Sequence, residues 1–171
     1  MENRGGCILG KDTIITHYEK SIEFALGLGN LSEVQWRKPI KENKWSIAEI
    51  IGHFIPLDEF ILESRLPYFF RSENLPKGPD VQELNDESTR KSSVQAKEET
   101  IERFIEIRRK LITELTVLED EKWRQTFYIG KTELSLYRYF SNMLEHDDHH
   151  FAQINSANDE RGGSDVDKNR E

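Results

Sequence analysis

The chain of 171 residues is long enough for one domain with a real core and too short to suggest two. A third of its residues are charged and 36% are apolar, and acidic side chains outnumber basic ones 32 to 24, giving a formal charge of -8. That balance speaks against nucleic acid, whose phosphates call for a basic face. Cys7 is the single cysteine, so no intrachain disulfide is available. No apolar run approaches a membrane span, and Met1 to Gly6 lack the apolar core of a signal peptide. A cytoplasmic protein without membrane or nucleic-acid partners is expected.

In chain order, a first helix is expected from about Asp12 to Leu28, with Ile14, Ile15, Tyr18, Ile22, Ala25 and Leu26 at helical spacing. Asp12 suits its N-cap and Gly27 with Gly29 its end. A loop holding Trp36 and Pro39 follows. Ser46 and Glu49 then form a capping box, each able to satisfy an amide left open at a helix start. From there Ile47, Ile50, Ile51, Phe54, Leu57, Ile61 and Tyr68 trace a broad apolar face. Pro56 removes one backbone donor inside it, predicting a kink near Gly52 to Pro56. Arg71 to Lys91 read as a long loop, a lid or a crossover. A third helix is expected from about Ser92 to Leu118, with Arg108 on its stripe. Arg108-Arg109-Lys110 nevertheless alternates with glutamates, as a solvated face does. Phe127 to Ile129 suit a short extended piece, and a fourth helix should run from about Thr132 to Ser156. The bundle domain then spans 1–156, and the polar tail 157–171 is expected to be disordered. Four amphipathic segments with almost no strand signal define an all-α, four-helix bundle.

Five histidines stand at 17, 53, 146, 149 and 150. Residues four apart on a helix lie about 40° from one another, one turn up, which lets two imidazoles reach one metal. His146 and His150 have that spacing, and Leu136, Phe140, Met143 and Ile154 place them near the buried side. His149 falls with Asn142 and Glu145 on the polar side. His53 lies on the core side of the second helix, whereas His17 sits at the margin of the first. Several neutral histidines in one core each need partners for two ring nitrogens, a cost that a shared divalent ion removes. His146-Asp147-x-x-His150 superficially matches the HExxH of zinc proteases. The acidic residue is one methylene short, however, and no strand is expected beside the helix.

Two stretches resemble the DinB-like superfamily of helical bundles. Trp45-Ser46-Ile47-Ala48-Glu49-Ile50-Ile51-Gly52-His53 is similar to that family's Trp-Ser-x-x-Glu-x-x-x-His opening of helix two. His146-Asp147-Asp148-His149-His150-Phe151-Ala152-Gln153-Ile154 is similar to its closing His-Asp/Glu-x-His-His-x-x-Gln-Ile/Leu. The likeness covers roughly residues 10–156 and implies a four-helix bundle with a long crossover, frequently a homodimer. It implies metal ligands at His53, His146 and His150, holding zinc or nickel, with iron or manganese as alternatives. It further implies a small-molecule substrate and, in some members, a low-molecular-weight thiol co-substrate. Three protein ligands leave coordination positions open, as catalytic sites do. The leading expectation is therefore a metal-dependent thiol S-transferase or hydrolase, with Asp147, Tyr139 and Gln153 as residues that could assist. For Asp147 an ion pair with an arginine is the expected role. The competing reading is a non-catalytic, damage-inducible metal-binding or stress-response module built for dimerisation.

Overall fold

The computed structural model describes residues 10–71 and 75–166; Cys7 and residues 167–171 of the expected tail lie outside them. Four long helices make the bundle: α1 (Lys11–Leu28), α3 (Ile47–Ser64), α5 (Lys97–Val117) and α7 (Leu136–Val166). Short helices α2 (Glu33–Arg37) and α6 (Asp120–Arg124), the helix α4 (Val81–Ser92) and a hairpin of β1 (Thr126–Ile129) and β2 (Thr132–Ser135) fill the connections. The chief neighbours of α1 are α5 and α7, while α3 packs on α5 and carries α4. The first two long helices are thus not each other's main partners, and the chain crosses over the bundle between them.

Local chemistry sets these elements. α1 buries Ile14, Tyr18, Ser21, Ala25 and Leu28, alternating steps of four and three that keep one stripe inward. Its N-cap is Gly10, two residues earlier than Asp12, which instead places its charge in the first turn. The capping box at α3 forms as expected: Ser46 N donates to Glu49 Oε2 at 2.7 Å and Glu49 N donates to Ser46 Oγ at 3.3 Å. α3 continues through Pro56 as one helix. A second capping box, Ser32 with Gln35, starts α2 in the segment expected to be loop and buries Trp36.

Three further expectations are corrected. The segment Arg71–Lys91 is not loop throughout, because Asp80 caps α4 by accepting from Glu83 N at 3.0 Å. α4 is nearly all polar, so hydrophobic spacing could not reveal it. It is held by its closeness to α3, where Gly52 faces Ser92 with no room for a Cβ between them. The fourth long helix starts at Leu136 rather than Thr132, because Thr132 to Ser135 pair with Ile129 to Thr126 in an antiparallel hairpin. Gly130 takes φ 60° at the first position of that two-residue turn, which a type II′ turn requires and glycine supplies without strain. Finally, α7 runs to Val166, ten residues past Ser156. Once a helix is nucleated, each further residue adds a hydrogen bond at little cost, so loss of apolar residues does not end it.

The apolar core is in two parts. One gathers Ile14, Ile61, Leu111, Leu115, Trp123, Leu136 and Phe140; the other gathers Ala25, Trp36, Ile50, Phe54, Phe104 and Ile154. Between the two, α3 carries Asp58, α5 Arg108 and α7 Asp147, and His17 of α1 reaches the same level beside Tyr18. These four meet as a polar layer across the bundle. Arg108 is 1% exposed, so the solvated face expected at 108–110 is corrected for its first member. The stripe that carries Phe104 and Leu111 takes Arg108 inward with them.

Candidate metal centre

His53 sits on α3 seven residues after its cap, buried among Trp45, Phe54 and the two histidines of α7. Its Nδ1 donates to the Ile50 carbonyl at 2.5 Å. A carbonyl only accepts, so the proton of the neutral ring is on Nδ1 and the Nε2 lone pair is bare. That Nε2 lies 3.5 Å from Nε2 of His146. His146 Nδ1 in turn lies 3.9 Å from Asp147 Oδ1. His150 Nδ1 meets Gln153 Oε1 at 3.0 Å, which directs its Nε2 the other way. The three rings are 4.5 to 5.3 Å apart by their centroids, and one ring nitrogen from each comes within 4.8 Å of the others.

Burial keeps His53 and His150 neutral. Burial first, then repulsion from His150, lowers His53 to about 3. Burial and His146 lower His150 to about 4. With Nδ1 of His53 and His150 committed, their bare Nε2 atoms are left beside the ring of His146. Facing ring nitrogens need a proton or a metal cation between them. The donor set therefore fits a borderline divalent ion, and His53, His146 and His150 could hold it.

Beneath the triad lies the polar layer. Both Arg108 Nη atoms reach Asp147, Nη2 to Oδ1 at 3.3 Å, and His17 Nε2 is 3.2 Å from Asp147 Oδ2. Arg108 Nε lies 2.6 Å from Asp58 Oδ2, close but misaligned for a hydrogen bond. The guanidinium also lies against the rings of Tyr18, Phe54 and Phe104. Burial alone would raise Asp147, but Arg108, His146 and His17 outweigh it and hold that carboxyl well below the usual range. Asp58 shares only Arg108, and burial pushes it up to about 7. Asp147 is thus the arginine-paired carboxylate the sequence suggested, and it also steadies His146.

The other sequence candidates separate by position. Gln153 is at the site, and its Nε2 donates to His149 Nε2 at 3.0 Å, so His149 fixes Gln153 while Gln153 fixes His150. Tyr139 shares the face of His146 but sits two turns away, among Phe69, Phe127 and Arg65. Sequence reasoning passed over Trp45, whose ring stacks on His150 at 6.0 Å and 16° and lies 5.0 Å from His53. Its place within the Trp-Ser motif was the available signal. Asp58, one turn past Phe54 on the apolar face of α3, was missed as well. A cleft of about 280 Å³ lined by Ile40, Asn43, Lys44, Trp45, Ile50, His150 and Gln153 opens beside the triad.

The four-helix architecture is also that of a solved structure. YfiT from Bacillus subtilis superposes with a TM-score of 0.74 at 16% identity, over 95% of this chain and 94% of that one. That protein is described as "a probable metal-dependent hydrolase with an unusual four-helix bundle topology". At this identity the likeness establishes the fold. Residues 23–154 match the family model of the DinB superfamily, and the chain belongs to that superfamily. No curated protein matches the chain. Among the described residues no helix is long and apolar enough to cross a membrane.

Proposed function

We propose that this protein is a metal-dependent hydrolase acting on a small molecule, with His53, His146 and His150 as the ligands of one zinc or nickel ion. The observation that carries the reading is the convergence of three imidazoles, two of them oriented through their other nitrogen, at the edge of an open cleft. Three ligands are the count of catalytic rather than closed structural sites. An ion held there supplies Lewis acidity, lowering the pKa of water or a thiol that joins it. The chain's own contribution is orientation. The Ile50 carbonyl and Gln153 set which nitrogen His53 and His150 present, a restraint worth about 10–100-fold in metal affinity in comparable sites, and Asp147 lies beside His146. Asp147, engaged by Arg108 and His17, acts as a positioning residue and is not free to take a proton. Trp45 walls the cleft and limits water on its side.

The fold-level analogy to YfiT points to hydrolysis, though fold alone does not decide chemistry. The experiment is to load the purified protein with zinc or nickel. It is then assayed against a panel of activated esters and amides, and separately against bacillithiol, glutathione and coenzyme A with a chlorobimane acceptor. Metal-dependent hydrolysis that disappears in His53→Ala supports the proposal. Metal-dependent conjugation requiring a thiol would replace it with S-transfer. Stoichiometric metal with neither activity would favour the non-catalytic binding module.

A further inference from the structure

The cleft beside His150 is bordered by a loop whose charge opposes that of the chain. Residues 37–44 carry Arg37, Lys38, Lys41 and Lys44 against one carboxylate, Glu42, within a chain of formal charge -8. Arg37 is engaged by Glu33 and by the carbonyls of Ser93 and Gln95. Lys44 is exposed and lines the cleft together with Asn43. The loop that presents them is well tied: Pro39 bridges to Ser46, Ile40 N donates to Trp45 O at 3.0 Å and Lys44 N donates to Lys41 O at 3.1 Å. Trp45, Ile40 and Ile50 make the apolar side of the same cleft, with His150 and Gln153 on the side of the triad.

We infer that this cleft receives a small carboxylate-bearing molecule, its anionic end on Lys44 and Asn43 and its apolar body against Trp45, Ile40 and Ile50. The inference rests on the proposed function only in taking that molecule as the substrate of the triad. A local positive potential in an acidic protein raises the concentration of anions at the one place it surrounds. A volume of about 280 Å³ is at the lower edge of the range for drug-sized ligands, about 300–1,000 Å³, so the ligand is smaller than those. A single ammonium and an amide suit a monoanion. Phosphate sites are typically built from arginine forks, and no arginine lines this cleft.

Tryptophan emission reads the site directly. Trp36 and Trp123 are fully buried, whereas Trp45 is half-buried at the cleft. Zinc-loaded full-length protein is titrated with phenylacetate and with its neutral twin phenylacetamide, for the parent chain, Lys44→Gln and Lys44→Glu. Metal content is measured on each sample. Phenylacetate is expected to bind saturably and at least about tenfold more tightly than the amide. Lys44→Glu should weaken it about tenfold, with the amide and the metal content unchanged. Equal affinity for the two probes, or phenylacetate binding indifferent to both Lys44 substitutions, overturns the inference. So does the absence of saturable binding. Full metal with no charge selectivity overturns the cleft assignment and leaves the metal reading standing. Charge-selective binding without retained metal supports the cleft and overturns the metal reading.

Discussion

His53 and His150 reach the triad with one nitrogen already committed, and this governs how they respond to acid. Both are held below their ordinary value of 6.5, at about 3 and about 4. Below pH 6.5 the unfolded chain therefore takes up protons that the folded one refuses, so stability present above pH 6.5 is lost as pH falls towards 4. Asp58 acts in the opposite sense. Its folded value of about 7 exceeds the ordinary 3.8, so its contribution favours the folded state at low pH and fades as pH rises from 4 to 7. Two histidines outweigh one carboxyl. The urea midpoint of metal-free protein should be lower at pH 4.5 than at pH 7, more steeply so in Asp58→Asn and less so in His53→Ala. A midpoint that does not fall would contradict this assignment. Arg108 is the second residue-scale test: Arg108→Met leaves Asp58 and Asp147 buried without their shared cation. A loss of about 3–5 kcal/mol is expected in equilibrium unfolding, partly restored by adding Asp58→Asn. A loss below about 1 kcal/mol would show that the layer is not electrostatically closed.

Elements place these residues, and here the glycine of the first motif, Gly52, has a specific task. A Cβ at Gly52 would stand 1.6 Å from Ser92 Oγ and 2.4 Å from Ser92 Cβ, so α4 packs on α3 only because that Cβ is missing. Gly52→Ala gains about 1 kcal/mol of helix propensity, but the overlap cannot be relieved by rotating Ser92. A net loss of about 1–3 kcal/mol is expected by urea unfolding, recovered in large part by Ser92→Gly. If Gly52→Ala is instead stabilising, α4 does not rest where it is described. Legibility in the sequence divided along the same line. α1, α3 and α5 declare themselves because their stripes are apolar, and the start of α3 was fixed to the residue because a capping box is a local chemical pattern. α4 was hidden because its packing depends on a missing side chain at Gly52 and on serines, which carry no hydrophobic period. α2 was hidden by its five-residue length. β2 was merged into α7 because Thr132 to Ser135 become strand only by pairing with β1. His146 and His150 were legible because helical spacing puts them on one face of α7, and His53 because it lies on the core side of α3. The partners that steady them from other elements, Arg108 and Asp58 above all, were not.

For the molecule as a whole, the polar layer that splits the core is the floor of the site, joining α1, α3, α5 and α7 directly below the triad. An ion bound by the folded chain alone stabilises it by mass action, about 2.7 kcal/mol at a hundredfold excess over Kd. For a chain of this size that is a rise in Tm of about 5–10 °C. A thermal scan with and without zinc or nickel should show it, and it should vanish in His146→Ala. No rise with either ion would argue against a site preformed by folding. The measurement that reaches the central claim most directly is elemental analysis of the purified, metal-reconstituted protein beside His53→Ala, His146→Ala, His150→Ala and His17→Ala. One divalent ion per chain is expected in the parent and in His17→Ala, with loss in each of the other three. Stoichiometric metal retained in the three triad variants, or none taken up by the parent, would contradict it.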